Sequence, residues 1–190
     1  MQIGGLRSRN SVKKYLENKP LITIITVVYN DEKRLEKTIL SIVNQTYENI
    51  EYIIVDGEST DSTINIIKQY EDKIDYWISE PDKGIYNAMN KAIDLSCGEW
   101  INFMNSGDIF YAHDVLEKIF SSNRKPFVYS DFYYKKIYGI KKYTASYTHG
   151  IINHQSAIYQ KRLHSKYGYY IETKQLTISD YIFFLSIPKN

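Results

Sequence analysis

The sequence has few of the features that mark secreted or membrane proteins. Its 190 residues include one cysteine, Cys97, so no disulfide can form within the chain, which fits a reducing compartment. No apolar run approaches the ~20 residues of a membrane-spanning helix, and the first five residues lack the apolar stretch of a signal peptide. We therefore expect a cytoplasmic protein. Cys97 lies just before Gly98 at a predicted helix end, and we expect it to have a structural role.

The glycine pattern excludes several familiar enzyme classes. The chain has no Gly-x-x-x-x-Gly-Lys-Ser/Thr motif, no Gly-x-Gly-x-x-Gly after a strand and no Gly-x-Ser-x-Gly elbow. A P-loop NTPase is therefore excluded, and a dinucleotide-dependent oxidoreductase or a Ser-His-Asp hydrolase fits poorly.

The charges are unevenly distributed along a chain whose length suits one domain with a buried core. Residues 1–123 carry 13 Lys and Arg against 19 Asp and Glu, whereas residues 124–190 carry 11 against 3. An acidic half facing a basic half suits a cation with a phosphorylated ligand, or a basic face near anionic lipid. Two solvated surfaces would give the same distribution, so both interpretations stay open.

Apolar periodicity predicts alternating strands and helices over the first two thirds of the chain. Each predicted strand is followed by an amphipathic helix, which favours a parallel sheet with right-handed crossovers. The predicted strands span residues 21–29, 50–55, 75–79 and 99–104.

The remaining segments have weaker patterns. Residues 1–19 are basic without periodicity and are predicted to form a loose arm. Residues 127–134 and 138–147 read as a β-hairpin, residues 154–159 as a short strand, and Asp180 precedes an apolar run that begins a helix.

Polar turns follow each of the four predicted strands. Because parallel strands point their carboxyl ends the same way, these turns should meet at one edge of the sheet, where ligands of open α/β sheets bind. Oxygen-bearing side chains with few His and no Cys suit a hard divalent ion, although a single Asp in a turn is more often a cap. The turns are Tyr29-Asn30-Asp31, Asp56-Gly57, Glu80-Pro81-Asp82-Lys83-Gly84 and Asn105-Ser106-Gly107-Asp108.

The motifs in residues 26–30, 41–47, 55–63 and 80–91 resemble glycosyltransferase family 2, and most of all the bacterial enzymes that build O-antigen and capsular polysaccharide. The resemblance covers residues 20 to 115 and is thinner around residues 154–156 and 179–181. It implies a GT-A fold: an α/β domain with a mainly parallel central sheet flanked by helices and a small β-hairpin region toward the C-terminus.

The same resemblance implies an inverting transfer from a nucleotide-sugar donor, expected to be a UDP-sugar, with Mn²⁺ or Mg²⁺ as cofactor. The acceptor would be a glycan or lipid-linked saccharide rather than a nucleic acid, reached in the cytoplasm or at the inner face of the cytoplasmic membrane. Residues 20–190 would form one domain, with a donor half at 20–115 and an acceptor half at 116–190.

Position by position, the resemblance also implies residue roles. Many family members have Asp-x-Asp-Asp where this chain has Asn105-Ser106-Gly107-Asp108, so we predict weaker metal affinity. For Asp180 the alternative is a helix N-cap, and His154 could equally be a core or loop residue. The implied sets are Tyr29, Asn30, Asp56, Asp82, Lys83, Gly84 and Asn105 for the donor, Asp108 for the metal, Asp180 as general base, and His154 and Gln155 for the diphosphate or acceptor.

Two other functions compete with the transferase. Family members usually continue well beyond the corresponding Asp, whereas this chain ends at Asn190, so a catalytically impaired or truncated module that binds donor for a partner transferase is the first alternative. A nucleotidyltransferase is the second, but it would need a Gly-rich, Arg- or Lys-bearing loop after the first strand, and Tyr29-Asn30-Asp31 is not one.

Overall fold

A computed structural model of the protein describes residues 1–13, 16, 19–122, 125–173 and 178–188. Short 3-10 turns occur at Leu6–Arg9 and His154–Ser156. The strands and helices, in chain order, are β1 (Gln2–Gly4), β2 (Ile22–Val28), α1 (Leu35–Val43), β3 (Ile50–Asp56), α2 (Thr63–Gln69), β4 (Tyr76–Ser79), α3 (Ile85–Leu95), β5 (Trp100–Phe103), α4 (Val115–Phe120), β6 (Phe127–Tyr129), β7 (Phe132–Lys136), β8 (Gly139–Tyr143), β9 (Ala157–Gln160), α5 (Arg162–Tyr167) and α6 (Ser179–Ser186).

A seven-stranded sheet forms the centre of the described part of the chain, in the order β1-β4-β3-β2-β5-β9-β6. Its four middle strands, β4, β3, β2 and β5, are mutually parallel. The flanking strands β1, β9 and β6 pair antiparallel. The predicted mainly parallel sheet is therefore confirmed.

The middle of the sheet is buried on both faces, as the nearly continuous β-branched composition of β2 predicts. Every residue of β2 and β3 is buried. Ile25 and Val27 of β2 pack in one core with α3, α5 and α6, whereas Ile22 and Ile24 pack in a second core with α1, α2 and α4. Helices thus cover both faces of the sheet.

The amino-terminal segment differs from the predicted loose arm. Residues Gln2–Gly4 form an edge strand on β4. Arg7 is fixed by its guanidinium, which donates to Glu51 (3.2 Å) and to the carbonyl of Leu95 (2.8 Å). Lys13 forms an ion pair of 3.0 Å with the buried Asp75. Burial leaves these acids in need of cationic partners, and the basic segment supplies them; residues 14, 15, 17 and 18 of the predicted arm lie outside the described residues.

The region after α4 follows the prediction only in part. A hairpin is present, but it is formed by β7 and β8 as a separate two-stranded sheet. The predicted first strand of the hairpin is split, because Phe127–Tyr129 instead pairs with β9 at the edge of the main sheet. The segment at His154 is a 3-10 turn, and the strand begins only at Ala157.

Within the described residues, no helix combines the length and the apolar character needed to cross a bilayer.

Candidate active site

The polar turns predicted from the sequence lie at one edge of the sheet. Backbone hydrogen bonds tie them together there: Gly57 N donates to Val28 O (2.9 Å), Glu80 N to Asp56 O (3.1 Å) and Ser106 N to Val27 O (3.3 Å). Each of these turns follows the carboxyl end of a strand. Because the middle strands are parallel, these ends lie at the same edge of the sheet. The structure therefore places a continuous polar edge where α/β sheets bind ligands.

One side of this edge is a cleft formed by Tyr29, Gly57 and Asp82. A Cβ atom placed on Gly57 would lie 2.6 Å from Asp82 Oδ2 and 3.3 Å from a ring carbon of Tyr29. Tyr29 is 63% exposed, so its side chain is accessible to a ligand. A residue with a Cβ at position 57 would therefore displace the carboxylate of Asp82, although the backbone φ of Gly57 is not in the left-handed region. We call this arrangement the Tyr29–Asp82 cleft.

Asp56 lies beneath the cleft and organises it. Its side chain is fully buried. It accepts hydrogen bonds from the backbone N–H of Ser59 (2.9 Å), from the Ser59 hydroxyl, and from the Ser79 hydroxyl (2.7 Å). These bonds satisfy most of the carboxylate's acceptor sites and fix the turn after β3 against β4. A direct contact between Asp56 and a nucleotide base stays a prediction.

Asn30 joins the turns after β2 and β3. Its backbone adopts φ 47°, a left-handed conformation that Asn tolerates. Its backbone N–H donates to the Ser59 hydroxyl (2.7 Å), and its side-chain oxygen accepts from Thr60 N (2.8 Å). Asn30 therefore shapes the cleft wall through the neighbouring turn.

The segment after β4 leads into α3. Asp82 Oδ1 accepts from Gly84 N (2.8 Å), and Lys83 N donates to Asn87 Oδ1 (3.2 Å). Gly84 has φ 116°, a conformation that other residues rarely adopt, and it precedes the first residue of the helix. Asp82, Lys83 and Gly84 thus lie together beside the Tyr29–Asp82 cleft.

The other side of the edge holds a hydrogen-bonded chain of four side chains. Asn105 Nδ2 lies 2.9 Å from His154 Nε2, and His154 Nδ1 lies 2.8 Å from Asp180 Oδ2. The Tyr86 hydroxyl donates to Asp180 Oδ1 (2.8 Å). With the amide of Asn105 donating, His154 is the tautomer that carries its proton on Nδ1 and donates it to Asp180.

The environment of Asp180 keeps its carboxylate ionised. Burial raises the pKa of Asp180, but the hydrogen bonds that its carboxylate accepts from His154 and Tyr86 outweigh burial and hold the pKa below its ordinary value. Burial and the neighbouring carboxylate raise the pKa of Tyr86 to about 12, so it stays a donor. Asp180 lies in the first turn of α6, and the N-cap position belongs to Ile178, so the N-cap alternative for Asp180 is wrong.

Asp108 lies close to these hydrogen-bonded side chains, and its environment differs from that of Asp180. Its Oδ2 accepts from Gln155 Nε2 (2.6 Å). Burial raises the pKa of Asp108, and Gln155, His154 and Arg34 only partly oppose the rise. The side-chain oxygens of Asn105 and Gln155 are buried and have no hydrogen-bond partner. Unpaired buried oxygens beside a carboxylate are a donor set that a hard cation would satisfy.

The carboxylates of the edge do not form a multi-acid metal cluster. Among the described residues, no three His, Cys, Asp or Glu side chains are grouped so that they could hold a metal ion. Asp56 is committed to Ser59 and Ser79, and Asp82 caps Gly84. Asp108 as the charged metal ligand, with the amide oxygen of Asn105 as a neutral helper, stays a prediction.

Sequence reasoning assigned no role to Tyr86 or Arg34, and it indicated Asp31 and Ser106 only as members of the polar turns. Arg34 Nε donates to both oxygens of Asp31 (2.9 and 3.0 Å), and the Ser106 hydroxyl donates to Asp31 Oδ2 (2.6 Å). These bonds hold the guanidinium over Gly107, beside Asp108. Arg34 and Asp31 are three residues apart at a predicted helix start, which was a usable signal, but the contact with Ser106 depends on the tertiary fold.

Comparison with known proteins identifies a family. Residues 23–185 match the profile described as Glycosyl transferase family 2. An uncharacterized glycosyltransferase of Haemophilus influenzae is 42% identical over 104 residues, which are 53% of this chain and 41% of that protein. TuaG of Bacillus subtilis, named for teichuronic acid biosynthesis, is 40% identical over 104 residues, 53% of this chain and 40% of TuaG. The chain thus spans less than half the length of either relative.

Two solved structures share the fold. Staphylococcus aureus TarS residues 1–349 superpose with a TM-score of 0.74 at 19% identity, covering 87% of this chain and 54% of that one. A mannosyltransferase of Pyrobaculum calidifontis, solved with GDP-Man and Mn²⁺, gives a TM-score of 0.66 at 19% identity, covering 87% and 52%. The fold of the present chain is accordingly GT-A, as predicted.

Proposed function

Because the chain belongs to glycosyltransferase family 2, we propose that it moves one sugar from a nucleoside diphosphate donor, a UDP-sugar, to a bacterial surface glycan carried on a lipid, with inversion at the anomeric carbon. Relatives named for teichuronic acid and for PGL/p-HBAD biosynthesis support a surface-glycan acceptor. TarS, whose structure was also solved with UDP-GlcNAc, supports the donor class. One observation carries the proposal: an ionised carboxylate, Asp180, is held at the same sheet edge as the Tyr29–Asp82 cleft.

The donor would bind in the Tyr29–Asp82 cleft. The exposed ring of Tyr29 offers a flat apolar face to a base, and Asp82 offers acceptor oxygens to hydroxyl or N–H groups of the nucleoside. Lys83, at the start of α3, adds a cation, while Asp56 and Asn30 hold the walls of the cleft. Glycine at 57 leaves the room that a base or ribose requires between these walls.

Asp180 would act as the general base. Inversion requires deprotonation of the acceptor hydroxyl as it attacks the anomeric carbon, while the nucleoside diphosphate leaves on the opposite face. Such assistance contributes roughly 10²–10⁴-fold in rate. His154 and Tyr86 fix the orientation of the carboxylate and keep it ionised, so they are positioning residues in this mechanism.

A divalent cation would be held by Asp108 with the side-chain oxygens of Asn105 and Gln155. These are hard oxygen donors, and two of them are unpaired in the structure, so the residues fit Mn²⁺ or Mg²⁺. When bound, the ion would neutralise charge on the departing diphosphate. With a single carboxylate the affinity should be low until the diphosphate oxygens complete the coordination.

A donor-binding module without transfer activity is the second candidate. The single carboxylate near the amide oxygens favours it, since the described residues hold no multi-acid cluster. This candidate keeps the Tyr29–Asp82 cleft and predicts donor affinity without turnover.

Release of nucleoside diphosphate from UDP-sugars in the presence of Mn²⁺ separates the two candidates. The proposed enzyme slowly hydrolyses its donor, and Asp180→Asn abolishes the hydrolysis while donor binding, followed by thermal shift, stays intact. The protein without Mn²⁺ is the matched control. Donor binding by the wild-type protein with no release above that of Asp180→Asn would reject the transferase in favour of the binding module.

A further inference from the structure

We propose that the β7–β8 hairpin is a docking element for a membrane surface that contains anionic lipids. This inference goes beyond the proposed transfer reaction and can be tested without it. The hairpin pairs Phe132 with Tyr143 at its base and Lys136 with Gly139 at its tip. Large apolar side chains at and near the tip are almost fully exposed: Ile137 by 93%, Tyr138 by 99% and Ile140 by 71%. Such a cluster is costly in water and marks a site of interaction.

The charge of the hairpin selects an anionic partner. Residues 132–143 contain four lysines and no Asp or Glu. Asp131, just before the hairpin, forms an ion pair of 2.8 Å with Lys142. It therefore offsets only one of the four lysine charges. Lysines near an apolar, tyrosine-rich tip are the combination found in segments that lie at a bilayer surface.

The distribution of side chains favours a lipid surface over a flat protein interface. Cross-strand pairing places Tyr133, Lys135, Ile140 and Lys142 on one face of the hairpin, and Tyr134 with Lys141 on the other. Both faces therefore carry lysine beside apolar groups. A protein partner would cover one face, whereas headgroups surround an inserted tip from all sides, so that lysines on both faces reach phosphate while the tip enters the apolar layer.

The position of the hairpin relates the membrane to the active site. The ring of Tyr133 stacks on Tyr111, with centroids 4.6 Å apart and planes at 13°. Ile109 and Tyr111 lie within three residues after Asp108 and are 58% and 76% exposed. A hairpin lying on a bilayer would therefore bring the loop after Asp108 to the same surface, where the lipid-linked acceptor of the proposed function would lie.

Vesicle sedimentation of the full chain tests the proposal. Purified protein is mixed with phosphatidylcholine vesicles, with or without phosphatidylglycerol, and the bound fraction is measured at low and high salt. Binding is expected only with phosphatidylglycerol and should weaken with salt. The double variant Ile137→Ser/Tyr138→Ser should lower partitioning about tenfold or more, because two exposed apolar side chains no longer enter the bilayer.

A charge series provides the matched control. Lys135→Gln/Lys141→Gln should weaken binding about fivefold per lysine. Lys68→Gln/Lys73→Gln, on the α2 side at the opposite edge of the sheet, has the same change in net charge and should bind almost like wild type. Circular dichroism checks that all variants fold, and the substituted hairpin residues are exposed and lie outside both cores.

Three results would overturn the proposal. These are wild-type protein that does not sediment with anionic vesicles, a tip variant that binds like wild type, and a hairpin-dependent dimer in analytical ultracentrifugation without vesicle binding. The vesicle assay needs no donor or acceptor, so its outcome is independent of whether the protein proves to be a transferase.

Discussion

Replacing Asp180 with Asn tests the proposed base with little change in shape. Asn keeps one oxygen that can accept from His154 Nδ1, now 2.8 Å from Asp180, and it presents its amide N–H₂ to the Tyr86 hydroxyl, also at 2.8 Å, which can accept as well as donate. The side chain lies in the first turn of α6 and does not cap the helix, so the helix should persist. The substitution removes the negative charge and the ability to accept a proton, and we expect the variant to fold.

The expected loss follows from the role of the carboxylate. A positioned general base contributes roughly 10²–10⁴-fold, so release of nucleoside diphosphate should fall by that factor, while donor affinity stays within about twofold. Because the pKa of Asp180 is held low, wild-type activity should be constant near neutral pH and fall only below the ordinary carboxylate range. Protonation removes the base, so activity is lost as the pH decreases.

Tyr86→Phe provides the matched control for this reasoning. It removes one donor to Asp180 and leaves the carboxylate in place, so the pKa of Asp180 should rise and the acid limb of the rate profile should move to higher pH. If the Asp180→Asn variant turned over at the wild-type rate, Asp180 would not be the general base. An acid limb that Tyr86→Phe leaves unchanged would refute the proposed control of its protonation.

Three further predictions concern the donor site, the metal and the pH dependence of stability. Gly57→Ala should weaken donor binding about tenfold or more in calorimetry while barely changing the melting temperature, because the new Cβ would lie 2.6 Å from Asp82 Oδ2; an unchanged donor affinity would contradict the assigned cleft. Asp108→Ala should lower Mn²⁺-dependent donor affinity at least about tenfold, because even groups that only orient a metal ligand typically contribute that much. Equal affinities of the wild-type protein and the variant in calorimetry would reject Asp108 as a ligand. Burial lowers the pKa of His164 to about 4 from 6.5, so between these values the unfolded chain binds a proton that the folded chain does not. Stability is therefore complete above this range and decreases as the pH falls, by about 2 kcal/mol between pH 7 and pH 5 in urea unfolding, and His164→Asn should have a flatter pH dependence.

The middle of the fold is predictable because local pattern and tertiary environment agree there. In β2 every residue is β-branched and most are apolar, a pattern typical of a strand that is buried on both faces, and the structure buries all of them. In α1 the spacing of Leu35, Ile39 and Ile42 fixes the buried face before any partner is known. The polar turns then follow from the strand ends, and the parallel order brings them to one edge.

The misses share a physical cause, which is that the decisive partner lies far along the chain. The strand at Gln2–Gly4 is three residues long and has no useful periodicity; it forms because β4 offers a free edge and Glu51 attracts Arg7. Tyr86 reads as an ordinary residue in the first turn of a helix, and its bond to Asp180 spans 94 positions. Contacts of this kind are set by how helices pack across the sheet, and periodicity does not report them.

One helix end connects the two halves of the candidate site. Asp82 accepts from Gly84 N, Gly84 precedes α3, and Tyr86 in the first turn of α3 donates to Asp180. A displacement of the segment around Asp82 would therefore be transmitted through a few covalent bonds to the hydroxyl that orients the carboxylate. Because the backbone of Gly84 has φ 116°, few other residues could make this turn at low cost. The same short segment thus lines the proposed donor cleft and sets the geometry of the proposed base, which explains why a glycine, an acid and a tyrosine occur within five residues of each other.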